Sequence, residues 1–169
     1  MRLPGIEAQR GRDGLEIQLL PDHAQQELWN QFVREEPYLE NARLVGGQRR
    51  YAVRYEGQWL AWLGWSAPAG HLQAREAWIH GSADQGRRRL PLLAPNSRFV
   101  MLAARTPLPN LGTRALRLCL DRLSEDWRAQ HGHPILAVES FVEAQLFRGT
   151  VDKASNWTMR GPTAGLGRV

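Results

Sequence analysis

Residues 98–142 constrain this chain more than any other stretch. "RFVMLAA" (98–104) is an apolar run fit for a buried strand, and "PILAVESFV" (134–142) is a second one. Between them lies a long amphipathic helix. Leu116, Cys119, Leu120, Leu123 and Trp127 form its apolar stripe, and Arg114, Arg117, Asp121, Glu125 and Arg128 its wet one. A buried strand, a helix and a second buried strand in succession predict a right-handed crossover within one sheet. Asn110 stands where it can cap the helix, and "HGH" (131–133) closes it.

The upstream half supplies antiparallel partners for that sheet. "LEIQLL" (15–20) reads as a short first strand. Residues 23–35 carry Leu28, Trp29, Phe32 and Val33 at helical spacing. "RRYAVRY" and "QWLAWLGW" then alternate about the two-residue turn Glu56-Gly57 and predict a hairpin. In its second strand Trp59, Ala61, Leu63 and Trp65 should share one face, with Leu60 and Trp62 on the other. Ser82 and Gln85 are a capping pair opening a short helix through "RRRL". Pro91 and Pro95 bound that region. Residues 143–155 predict a short helix, and "NWTMRG" (156–161) a final strand. With 169 residues the expectation is one domain spanning 1–169, with residues 1–14 loosely held. The fold class is α+β: a mixed, mostly antiparallel central sheet flanked by helices.

Composition narrows the chemistry. A single cysteine, Cys119, excludes an intramolecular disulfide and a multi-cysteine zinc site, and its place in the apolar stripe makes it a core residue. No apolar run approaches the roughly 20 residues needed to span a bilayer. The N-terminus has no apolar stretch suited to secretion, so a cytoplasmic protein without membrane contact is expected. The net charge is +5, and Lys153 is the only lysine. Arginine binds phosphate and carboxylate bidentately, so the expected partner is nucleic acid or an anionic small molecule; arginine-rich codon usage would give the same charge as a solvated surface. Arg87, Arg88 and Arg89 form the densest basic run and are the candidate nucleic-acid-binding residues.

Individual residues add candidates for a site. Glu139 is the lone ionisable side chain inside "PILAVESFV" and is the candidate general base; the alternative is a strand-end glutamate paired with an arginine. His80, beside Gly81, is a second candidate base. Arg148, Gly149 and Thr150 can form an anion-binding turn or simply start a helix. His131 and His133 suit the negative end of the helix dipole, and with no further ligand near them no metal site is expected. Among the seven tryptophans, Trp78 and Trp157 adjoin polar segments, where either could stack a base or ring.

By element order, residues 40–165 resemble the GNAT, or acetyltransferase-like, superfamily, with Asn156-Trp157 in the place of that family's small-aromatic pair. The resemblance implies a pyrophosphate against the N-terminus of the long helix. The turn here is "TPLPNLGT", whose Pro107 and Pro109 have no N–H to offer. Coenzyme A is therefore not expected, and no other cofactor is.

A second resemblance is more specific. "RLVGGQRRY", "REAWIHGSADQGRRRLPLLAPNSRFVML", "PNLGTRALRLCLDRLSEDW", "ESFVEAQLFRGTVDKASNW" and the closing "GPTAGLGR" are together similar to the DruA-like family. That family includes Druantia anti-phage defence proteins and the N-terminal regions of some transposases. The resemblance implies a substrate-binding set at matching positions: Arg75, Asn96, Arg98, Asn110, Phe141, Arg148, Thr150, Asn156 and Trp157. Two departures stand out. Arg75-Glu76 replaces the family's Arg-Asp, and Val151-Asp152 replaces Cys-Tyr after Gly-Thr, so no chemistry of that cysteine can operate here. Two functions follow as expectations: a core module acting on or binding nucleic acid in defence or mobile elements, or a metal-independent, transferase-like enzyme on a small molecule, with Glu139 as base and Arg148 and Thr150 as an anion site.

Overall fold

A computed structural model describes residues 9–10, 14–20, 23–34, 44, 46–69, 72–79, 81–102, 108–142 and 149–161. The elements in chain order are β1 (Gln9–Arg10), β2 (Leu15–Leu19), α1 (His23–Arg34), β3 (Gln48–Tyr55), β4 (Gln58–Ser66), α2 (Gln73–Ile79) and α3 (Ala83–Arg89). A single 3-10 turn (Leu90–Leu92) leads into β5 (Leu93–Met101), α4 (Leu111–His131), β6 (Ala137–Ser140) and α5 (Thr150–Ala154). The strands form one six-stranded sheet in sequence order, β1 to β6. Every neighbouring pair is antiparallel except β5 and β6, which run parallel on either side of α4. The fold is thus mixed α+β with a mostly antiparallel sheet. No helix among the described residues is long and apolar enough to cross a membrane.

Local chemistry explains the best-defined pieces. Glu56 and Gly57 both take positive φ (47° and 80°), as a two-residue turn with the twist of its flanking strands requires. α3 opens on a full capping box: Ser82 Oγ accepts from the Gln85 N–H, and Gln85 Oε1 accepts from the Ser82 N–H. Asn110 occupies the N-cap of α4, but in the left-handed conformation (φ 54°) and without a side-chain cap bond; only its carbonyl enters the helix, accepting from Arg114 N–H. At the other end Gly132 (φ 77°) closes α4, its N–H returning to the Arg128 carbonyl.

The sheet is covered on both sides. On one, Leu111, Ala115, Leu116, Cys119, Leu123 and Trp127 of α4 pack on Tyr51, Val53, Leu60, Ala61, Leu63 and Trp65. On the other, Trp29 and Val33 of α1 pack on Ala52, Trp62 and Val100. Each fully buried side chain of this size contributes about 1.5–3 kcal/mol. The layers close tightly over Gly64, where a Cβ would lie 2.9 Å from Trp29 Cζ2.

Five expectations need correction. A β-bulge between Val53 and Arg54 inserts Leu60, so Trp59 turns to lie 5.2 Å from Trp62 and Leu60 joins Ala61 in the α4-side core. β5 begins at Leu93 rather than beyond Pro95, because Pro95 sits where the ladder with β4 has ended at Trp65–Asn96 and its missing N–H costs no bond to β4. β6 is four residues long and half-exposed, the edge strand of the described sheet; flanking Leu136 is 72% exposed. α2 appears where no helix was expected. Finally, residues 157–161 form no strand, and of the predicted 143–155 helix only Thr150–Ala154 is helical among the described residues, with 143–148 lying outside them.

Candidate functional site

α2 is a helix of inverted polarity. Its one buried residue is Arg75, and its large apolar residue, Trp78, is 42% exposed. Arg75 is held by what it finds inside. Its Nη1 donates to Glu139 Oε1 of β6 at 2.8 Å, and its Nη2 donates to the Ala69 carbonyl. The Arg75 side chain is 3% exposed and that of Glu139 18%. A charge this deep is tolerated only when paired and hydrogen-bonded. Glu139 is accordingly a paired strand-end glutamate and not a carboxylate secluded among apolar neighbours.

α3 extends the same region outward. None of its residues is buried, and Arg87, Arg88 and Arg89 occupy its last turn. Arg87 forms an exposed ion pair with Asp84 one turn earlier. Arg89 reaches back to the Ile79 carbonyl, tying its guanidinium to the end of α2. The C-terminal segment reaches this place from the other side of the sheet. After α5, Asn156 takes φ 60° and the Trp157 N–H donates to the Asp152 carbonyl, while the Trp157 ring packs on the α4-side core. Three residues later the Arg160 guanidinium carbon lies 5.1 Å from the centroid of the Trp78 ring. Gly161 passes Ala74 closely enough that a Cβ there would lie 3.7 Å away.

Register divides the remaining candidates between the two faces of the sheet. Asn96 pairs with Trp65 and Ser140, so it points toward α4. It is 9% exposed, and its Nδ2 is buried without a hydrogen-bond partner. Glu139, one residue before Ser140, points the opposite way, as does Arg98, which pairs with Gly64 beneath Trp29 and donates to the Ser97 carbonyl. Phe141 follows β6 and is 50% exposed. Asn110, Thr150 and Asn156 are exposed at the N-terminus of α4 and the two ends of α5. Thus Arg75 and Glu139 meet, and Asn96 is neighbour to Glu139 in sequence register but on the other face. His80 and Arg148 lie outside the described residues. In the first turn of α4 the space beside Gly112 is filled from within: a Cβ there would lie 2.8 Å from Val151 Cγ2 and 2.9 Å from Met101 Sδ.

The polar groups at the far end of α4 form a separate, structural network. Asp126 accepts from Tyr51 Oη at 2.7 Å and from Arg122 through both carboxylate oxygens, while its carbonyl accepts from Arg49. Burial drives the Tyr51 hydroxyl and the Cys119 thiol well above their ordinary pKa values, so neither ionises near neutrality. Cys119 Sγ accepts from Trp65 Nε1 at 3.0 Å, in keeping with its expected core role. The His131 ring lies tilted at 51° against Trp127 with centroids 4.7 Å apart, and burial holds its pKa below the usual value. No cluster of three or more metal-ligating side chains occurs among the described residues.

Sequence reasoning marked Trp78 and the α3 arginines but missed Arg160. Read as part of a strand, "NWTMRG" gave no signal that its arginine would turn onto α2. A family model described as Druantia protein DruA matches residues 6–169. No curated protein and no solved structure matches the chain.

Proposed function

The chain belongs to the DruA family, and from that premise we propose that it is a nucleic-acid-binding module of anti-phage defence. The observation carrying this reading is α3 itself, a helix with no buried residue whose last turn is three consecutive arginines. A helix that contributes nothing to the core and is joined to its neighbour through an arginine is built to present charge. Arg89 binds the end of α2 and Arg160 lies over Trp78, so the cationic surface runs from α3 across α2. Phosphate contacts of this kind supply most of the affinity in sequence-independent binding.

Binding is favoured over acid–base catalysis at Glu139 because Arg75 already engages that carboxylate. The sheet is further proposed to be a variant of the acetyltransferase-like plan that has given up its coenzyme. The parallel β5–α4–β6 unit, paired only from Leu93 to Asn96, supports the plan. Pro109, the left-handed Asn110 and the filled space at Gly112 all speak against a pyrophosphate at α4.

The test is fluorescence polarisation with short DNA, comparing the wild-type protein with Arg87→Gln/Arg88→Gln/Arg89→Gln. Tenfold or greater weakening is expected, with a melting temperature lowered no further than loss of the exposed Arg89–Ile79 bond explains. The double variant Arg87→Gln/Arg88→Gln keeps that bond and should weaken binding at an unchanged melting temperature. Absence of binding by the wild-type protein at low salt would overturn the reading.

A further inference from the structure

We propose that Trp78, lying under Arg160 and next to the α3 arginines, is a stacking platform for an unpaired base, so that this surface takes single-stranded nucleic acid in preference to duplex. This inference rests on the nucleic-acid reading above and names its substrate class.

The first support is the inversion of α2. An isolated seven-residue helix would ordinarily turn its tryptophan inward and its arginine to water. Here Arg75 is 4% exposed and Trp78 is 42% exposed. The second support is what surrounds the ring. Arg160 crosses from the α5 side of the sheet to lie 5.1 Å from the ring centroid, and Arg89 donates to the carbonyl of Ile79, the residue after Trp78. A 42% exposed indole with one guanidinium over its ring and another at the end of its helix offers the two things a single strand needs, aromatic surface for a base and cations for the adjoining phosphates. Duplex DNA can use only the second, because its base faces are stacked on one another. Stacking is tolerant of sequence, since every base has a π-face. The preference should therefore be for strandedness and not for a particular base.

The experiment measures polarisation of a labelled oligothymidine and of a blunt duplex of equal length, using the wild-type protein, Trp78→Ala and Trp78→Phe. The wild-type protein should bind the single strand at least several-fold more tightly. Trp78→Ala should weaken single-strand binding about tenfold, in line with the loss of one stacked base, and leave duplex binding unchanged. Trp78→Phe keeps an aromatic face and should retain most of the preference, which separates stacking from misfolding. Equal affinity for the two probes, or an equal loss for both in Trp78→Ala, would overturn the stacking platform while leaving the cationic surface standing. Failure to bind either probe at low salt would overturn both.

Discussion

Arg75 and Glu139 join α2 to the edge strand β6 through one 2.8 Å hydrogen bond between a guanidinium that is 3% exposed and a carboxylate that is 18% exposed. α2 buries no apolar residue, and β6 is a four-residue strand paired along Leu93–Asn96 of β5. The pair is thus a polar tie, in place of an apolar one, between the α2–α3 surface and the sheet.

Removing the carboxylate takes the anionic partner from a buried cation that keeps its bond to the Ala69 carbonyl, and breaking a buried ion pair in this way costs about 3 kcal/mol. Glu139→Ala should lose stability on that scale in urea unfolding. Glu139→Gln retains an acceptor oxygen and should lose less, about 1–2 kcal/mol. A loss below about 0.5 kcal/mol in Glu139→Ala would show that Arg75 does not depend on this bond.

The stability of the fold should fall as pH drops below the ordinary histidine range, and His131 should account for part of that slope. Burial against Trp127 lowers its pKa below 6.5, reinforced by the neighbouring positive charges of Arg49 and His133 and opposed by the hydrogen bond its ring N–H donates to the Gln48 backbone carbonyl. The unfolded chain therefore takes up a proton at a pH where the folded chain does not. The contribution is present above pH 6.5 and is lost as pH falls through the lowered value. Urea midpoints between pH 8 and pH 5, roughly spanning that transition, should drop less steeply in His131→Gln. Identical slopes in the two proteins would contradict this assignment.

Gly64→Ala should destabilise the sheet by about 1–3 kcal/mol through overpacking. The new methyl would meet Trp29 at 2.9 and 3.0 Å and Arg98 Cβ at 3.2 Å, and Trp29 is fully buried. Thermal melting of the variant checks this, and an unchanged melting temperature would mean that α1 can lift away from β4 at no cost.

The parts legible in the sequence are those whose signals are local. The Glu56-Gly57 turn, the Ser82/Gln85 capping box and the apolar stripe of α4 each rest on contacts within a few residues, and each forms. What the sequence concealed depends on distant partners. α2 has no amphipathic stripe because its inward residue is Arg75, which is acceptable only once Glu139 arrives from the far end of the chain. The bulge at Leu60 leaves no mark on the alternation of β4. The apolar character of "PILAVESFV" predicts burial, yet β6 lies at the edge of the described sheet. Arg160 could not be assigned to Trp78, because only the turn after α5 directs the chain back across the sheet. Of the candidate site, then, the arginines of α3 were readable and their surroundings were not.

The most direct test of the cationic surface is the salt dependence of DNA binding. For the wild-type protein, log affinity should fall linearly with log salt. The slope should shrink by about 0.9 for each phosphate contact removed, hence by up to about 3 in Arg87→Gln/Arg88→Gln/Arg89→Gln. A wild-type affinity indifferent to salt, or a slope that the triple substitution leaves unchanged, would contradict the account.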